Sequence, residues 1–221
     1  MSMRSYRVTT CLLLLVFATA LTLARPAVDT DPVIQYYWDK VRDVYVSQDP
    51  VSAGIRYRLV ATTYFKHIDS KGRVEKIDSA TVEYFCREGQ VDSQKTVSGD
   101  DSRFRNLDIT ITDIFGLDYQ PFSFPNDTGG AVLAIGLDTD SLSANPDGLI
   151  MVDRYRYVPV WLYLYYPEKR GYRRFSRSFR FTEVDSYVFP DSIWEVGARQ
   201  GVFSLEHYRL ETGVTTIEIL P

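Results

Sequence analysis

Arg173, Arg174, Arg177 and Arg180 are interleaved with Phe175, Phe179 and Phe181 in one short span of the chain. At the two-residue period of a strand, Arg173 and Arg177 fall on the face of the phenylalanines, and Arg174 and Arg180 on the other. A guanidinium among aromatic rings can hold a carboxylate or an anionic headgroup through paired N–H donors. Arg173 and Arg177 are therefore candidate contacts for an anionic group, although the same pattern also suits a hairpin whose charged positions discourage aggregation.

Other chemistry is sparser. Asp138, Asp140, Asn145 and Asp147 place several oxygen donors in one loop, but their spacing departs from the helix-loop-helix calcium motif and reads as a solvated turn. The two histidines, His67 and His207, lie far apart in strand-like surroundings with no partners at metal-site spacing. Cys86 sits in Tyr84-Phe85-Cys86-Arg87 as a small buried side chain. No phosphate-binding glycine loop or nucleophile elbow occurs, so no catalytic residue, metal or cofactor is expected, and the chain does not read as an enzyme.

The arginines belong to a longer stretch, Leu149 to Glu195, rich in aromatic and β-branched residues and broken by a turn around Pro167 to Gly171. It reads as consecutive antiparallel strands. Within it Val160, Leu162, Leu164 and Tyr166 point to one side, and Trp161, Tyr163 and Tyr165 to the other. A strand apolar on both faces needs two things to bury against: a covering helix, a second sheet or a hydrophobic cavity.

The N-terminus sets the expected compartment. Arg4 and Arg7 precede an apolar run from Cys11 to Leu23 that ends in small residues, the pattern of a secretory signal peptide with cleavage after Ala24. Cys11 lies at the start of that run, so no lipoprotein is expected. The remainder, just under two hundred residues, suits a single domain, 25–221. It holds one cysteine, which excludes an intrachain disulfide. With 25 basic and 29 acidic residues the charge is nearly balanced, which argues against nucleic acid. No later run could span a bilayer, and a periplasmic or secreted protein is expected.

Asp29-Thr30-Asp31-Pro32 starts a helix. Val33, Tyr36, Tyr37, Val41, Val44 and Tyr45 recur at helical spacing, and Asp49-Pro50 ends it. From Gly54 the period becomes two, giving a three-strand meander through turns at Asp69 to Gly72 and Arg87 to Gln90. Ser98 to Arg105 reads as an exposed connection. The apolar segment Ile109 to Phe124, interrupted by Gly116 and Pro121, reads as an irregular lid over a sheet face. Asn126-Asp127-Thr128 forms a turn and matches a glycosylation sequon. Ala131 to Leu137 is a strand, followed by a polar loop from Asp138 to Gly148. The Leu149–Glu195 hairpin closes near Phe189-Pro190, Ser192 to Val196 follows, a turn lies near Gly197 to Gly201, and strands run from Val202 to Leu210 and from Val214 to Leu220. This gives nine or ten strands and one helix, a mainly β (α+β) chain built on a strongly curved antiparallel sheet.

The phrase Leu149-Ile-Met-Val-Asp153-Arg-Tyr-Arg-Tyr-Val-Pro159-Val-Trp-Leu162, with Phe189-Pro190 and the Thr216 to Ile219 ending, resembles the periplasmic lipoprotein carrier and outer-membrane lipoprotein-sorting family. The resemblance implies an incomplete barrel with an N-terminal helix and lid, whose concave face holds acyl chains. On that footing the chain is expected to be a non-enzymatic carrier of an apolar or acyl ligand, a lipid or a lipoprotein. Trp161, Tyr163, Tyr165, Phe175 and Phe179 are the cavity candidates, with Val160, Leu162 and Leu164 as the alternative lining. The competing expectation is a structural or protein-interaction module of the cell envelope, with a filled core and an envelope protein as partner.

Overall fold

Period-two patterning carries most of the described residues into one sheet. The structure is a computed structural model and describes residues 31–100, 114–117, 119–123, 130–139, 145–166, 172–200 and 205–221, without the side chains of 172–174, 199–200 and 205. The expected leader, the Asn126–Thr128 sequon, the Pro167–Gly171 turn and most of the expected lid lie outside the described residues.

Helix α1, Pro32–Gln48, begins where the Asp31 carboxylate accepts a hydrogen bond from the Val33 N–H at 2.9 Å, with Pro32 in the first turn. It ends at Asp49, whose extended backbone precedes Pro50. Ile34, Trp38, Val41 and Tyr45, spaced by four, three and four, form one buried stripe.

Among the described residues ten strands follow: β1 Arg56–Ile68, β2 Val74–Arg87, β3 Gln90–Gly99, β4 Gln120–Ser123, β5 Val132–Asp138, β6 Asp147–Asp153, β7 Pro159–Tyr166, β8 Tyr172–Val184, β9 Tyr187–Gln200 and β10 Leu205–Leu220. They form one antiparallel sheet in the order β3-β2-β1-β10-β9-β8-β7-β6-β5-β4, open at its β3 and β4 edges. Thus the first and last long strands pair inside the sheet, third and fourth in that order, with Tyr57 opposite Ile219 and His67 opposite Tyr208. Glu88-Gly89 and Asp185-Ser186 close two-residue hairpins with positive φ at both positions, the backbone that matches strand twist.

Single-residue bulges interrupt the ladders, those at Val160, Asp191 and Thr215 among them. Each adds local twist and bend. The bulge beside Pro190 lets β9 continue through a residue that cannot donate to the ladder. The expected hairpin end at Phe189-Pro190 is therefore the interior of one strand. Gly197 is likewise inside β9, lying under the Tyr208 ring, and Gly213 is inside β10.

The sheet carries two cores. Under α1, Leu133, Ile135, Leu137, Ile150, Val152, Leu162, Leu164, Phe179, Val188 and Ile193 pack with the helix stripe, Phe115 and Tyr119. The second core joins Tyr57, Leu59, Ala61, Ala80, Val82, Tyr84 and Cys86 to Phe189. Of the expected lid, the described part is a 3-10 turn, Ile114–Gly116, and the edge strand β4. Phe115 stacks on Trp38 and Tyr45 at 5.3 and 4.3 Å, which makes it part of the core.

Candidate functional site

Strand register decides which of the candidate side chains meet. Leu162 pairs with Phe179 and Tyr166 with Phe175, whereas Trp161 pairs with Arg180, Tyr163 with Ser178 and Tyr165 with Ser176. Phe175 and Phe179 therefore share the covered face with Leu162 and Leu164, and Trp161, Tyr163 and Tyr165 stand on the opposite face. The structure divides the five cavity candidates between two surfaces. Val160, the bulge residue, belongs to neither row and is exposed.

The covered face is filled. Ile135, Ile150, Val152, Leu162, Leu164 and Phe179 have no accessible surface. A side chain with none has no water-sized void against it. Trp38, Phe115, Tyr45 and Tyr119 supply the bulk opposite them, with Trp38 edge-on to Tyr119 at 6.1 Å. The Tyr119 hydroxyl donates to the Pro146 carbonyl at 2.9 Å, and burial raises its pKa.

Arg177 sits at the border of this core, its guanidinium 5.9 Å from the ring centres of both Phe175 and Phe179. Its Nε donates to Glu195 Oε2 at 2.9 Å, and the Tyr208 hydroxyl donates to Glu195 Oε1 at 2.7 Å. The pair is nearly buried, and the positive charge is answered from within the fold. An incoming anion would have to displace Glu195. The side chain of Arg173 lies outside the described residues.

The opposite face is built differently. Ser176 and Ser178 of β8 lie between two rows of larger residues, Trp161, Tyr163 and Tyr165 on β7 and Trp194 and Val196 on β9. With strands about 4.8 Å apart, this makes a trough roughly 10 Å between its walls, floored by the two serines. Trp161 and Tyr163 lie parallel at 6.0 Å, while Tyr165, Trp194 and Val196 are 37, 36 and 49% exposed. Arg180, paired with Asp191 at 2.8 Å, stands at the Trp161 end with more than half of its side chain exposed. The same sheet face over β1, β2 and β10 carries cross-strand ion pairs instead, Lys66–Glu211, Arg58–Glu83 and Arg58–Glu218. Ion pairs thus mark that part of the open face, and the trough presents aromatic rings in their place.

Other sequence candidates are structural. Asp147 accepts from the Thr139 N–H and hydroxyl at 3.3 and 3.0 Å, closing the polar loop; Asp140 lies outside the described residues. His67 contacts Asp78 at 3.3 Å, and His207 is exposed on the other face. Cys86 is buried beside Tyr57, and burial pushes its thiol up to about 11. Among the described residues no cluster could hold a metal ion, and no helix is long and apolar enough to cross a membrane.

An open antiparallel sheet with a helix packed on one face is the class of fold these observations define. No family model matches the chain, and no curated protein matches it. Among solved structures, the chain is similar to an outer membrane lipoprotein-sorting protein domain from Vibrio parahaemolyticus, with 12% identity, 82% of this chain and 91% of that chain covered, and a TM-score of 0.43. It is also similar to a DUF1329 family protein from Desulfovibrio piger, with 14% identity, 86% and 94% covered, and a TM-score of 0.47. The complex of MucA and MucB from Pseudomonas aeruginosa gives 7% identity, 84% and 98% covered, and a TM-score of 0.26.

Proposed function

We propose that the chain is a secreted, non-enzymatic binding protein of the cell envelope that takes an apolar or acyl chain on its open sheet face. The ligand would lie along the Ser176–Ser178 floor between Trp161, Tyr163 and Tyr165 on one side and Trp194 and Val196 on the other. Arg180 stands where an anionic head would end. The observation that carries this reading is the contrast between the faces. The helix-covered side has no room, and the other presents exposed aromatic rings. Affinity would come from desolvating apolar surface, at about 25 cal/mol per Å² before ordering costs.

The second reading, an envelope protein as partner, is favoured by the same exposed rings, since aromatic side chains dominate interface cores.

The three tryptophans separate the surfaces, because Trp38 is in the covered core and Trp161 and Trp194 are on the open face. Titration with a fluorescent fatty acid should protect Trp161 and Trp194 from acrylamide in a W38F background and leave Trp38 emission unchanged in a W161F/W194F background. A response confined to Trp38 would place the ligand under the helix. No uptake, together with no lipid in the mass spectrum of an extract of the purified protein, would leave the protein-interaction reading.

A further inference from the structure

Ser192 is only 8% exposed, and its hydroxyl has no hydrogen-bond partner among the described residues. A nearly buried hydroxyl left unpaired is costly, and folds rarely keep one without a use. It lies on the open face, opposite Arg180 of β8 on one side and Gly213 of β10 on the other. Arg180 is in turn opposite Trp161, so Ser192 stands at the Trp161 end of the trough.

Arg180 brings further donors to the same place. Its Nε donates to Asp191 Oδ1 at 2.8 Å. The guanidinium makes no other hydrogen bond among the described residues, and the side chain is 57% exposed, so its Nη edge is open. Asp191 is the extra residue of the β9 bulge, opposite neither Arg180 nor Phe181. A bulge re-aims a side chain, and here it sets a carboxylate on Nε, which holds the guanidinium while leaving the Nη edge clear.

The third feature is room. Gly213 is exposed, and a Cβ there would meet nothing within 4 Å. Its pairings with Ser192 and Thr62 are regular, the neighbouring bulge being at Thr215. Glycine weakens a strand interior, and such a position often marks the close approach of a ligand. Beyond it the hydroxyls of Thr62 and Thr81 share a hydrogen bond at 2.9 Å, so the row ends in polar groups.

We infer that Arg180, Ser192 and the open step at Gly213 form a subsite for the oxyanion head of an acyl ligand, a carboxylate or a phosphate. The Nη edge offers parallel N–H donors to two oxygens of such a head, and the Ser192 hydroxyl adds a third donor. Arg180 and Asp191 are neutral as a pair, so the head is recognised by directed donors rather than by a surplus of positive charge. The aromatic wall starts beside the subsite at Trp161, and a ligand anchored there lays its chain toward Tyr165 and Val196. The subsite rests on the proposed trough for the apolar half of that ligand.

The test compares one saturated chain bearing an alcohol, a carboxylate or a phosphate head, read by protection of Trp161 and Trp194 from acrylamide in the W38F protein. The carboxylate or the phosphate should bind about tenfold tighter than the alcohol. Whichever is preferred tells a free fatty acid from a phosphate ester as the source. Arg180→Gln should bring the three affinities together, and Arg180→Lys should restore part of the preference, since an ammonium keeps the charge without the fork. Ser192→Ala should reduce the preference about threefold with no fall in melting temperature, because the lost hydroxyl is unpaired. A merely structural serine would do the opposite. Gly213→Val, whose side chain has space in the fold, should weaken the anionic heads and leave the alcohol unchanged. Equal affinity of the three heads for the wild type, or a preference that survives Arg180→Gln, overturns the subsite while tryptophan protection still upholds the trough. No protection by any of the three overturns both.

Discussion

Val188 and Phe189 are consecutive residues of β9, both essentially without solvent contact, and they belong to different cores. Val188 packs beneath α1, while Phe189 points the other way and meets Tyr57 edge-on at 5.1 Å. Near its Asp185-Ser186 turn, the β8–β9 hairpin is therefore a layer between the helix-covered core and the β1–β2 core. The sheet must bend sharply enough for β1 to reach the far side of this hairpin, and the Asp191 and Thr215 bulges lie where the bend is needed.

Each core has its own reporter, Trp38 under the helix and Cys86 under β1. Phe189→Ala should cost about 3–4 kcal/mol and Val188→Ala about 2 kcal/mol. In a W161F/W194F background, Val188→Ala should shift Trp38 emission and leave Cys86 thiol reactivity unchanged, and Phe189→Ala should do the reverse. Both reporters responding to both variants would show a single merged core.

The Arg177–Glu195 pair should behave as a buried pair. Removing one partner strands the other charge in a site with little water, so Arg177→Met alone or Glu195→Leu alone should destabilise by about 3–5 kcal/mol. The double variant should recover most of that loss, because neither charge is left to desolvate. Denaturant titration of the four proteins gives the coupling. Purely additive losses would mean that the ion pair is well solvated.

Much of the fold was readable from period alone. The helix stripe and the β1–β3 meander repeat at three-to-four and two residues, with turns where asparagine-like or glycine backbones are needed. The orientation of β7 was not readable, because Leu162 and Tyr163 are both apolar and a single strand says nothing of which side is covered. Register with β8 decides it, through Leu162 opposite Phe179 and Trp161 opposite Arg180. Trp194 was hidden by a subtler cause. Counting outward from the Asp185-Ser186 turn places it opposite Arg177, on the covered face. The Asp191 bulge shifts it by one residue to Ser178 and so to the open face. Pro190 and Gly197 read as strand ends because their usual meaning is local, whereas here a bulge and a tyrosine ring give them places inside a strand.

Gly197 tests that last point. A Cβ there would lie 2.5 Å from Cε1, Cζ and the hydroxyl oxygen of Tyr208, so Gly197→Ala must displace the ring that bonds Glu195. The cost should be about 2–3 kcal/mol from overpacking and a lost hydrogen bond. Gly197→Ala combined with Tyr208→Ala should be less than additive in thermal unfolding, since the second change removes the obstacle. Full additivity would show that the ring moves aside freely.

Cys86 gives the stability a defined alkaline limit. Burial raises its thiol to about 11 from an ordinary value near 9, with the Tyr57 hydrogen bond opposing the rise. The folded state therefore holds the proton more tightly than the unfolded chain does. Between pH 9 and 11 the unfolded thiol ionises while the folded one does not, and unfolding is favoured as pH rises, by roughly 1 kcal/mol per pH unit. Below pH 9 both states are protonated and the contribution is flat. Tyr57, also raised by burial first, adds to the decline above its ordinary range near 10. Cys86→Ala should remove the part of the slope that begins at pH 9 and keep the later part from Tyr57, at the price of a small packing loss. Denaturant midpoints for both proteins from pH 7 to 11 would measure this, and identical slopes between pH 9 and 10 would show that Cys86 ionises in the fold as readily as in the free chain.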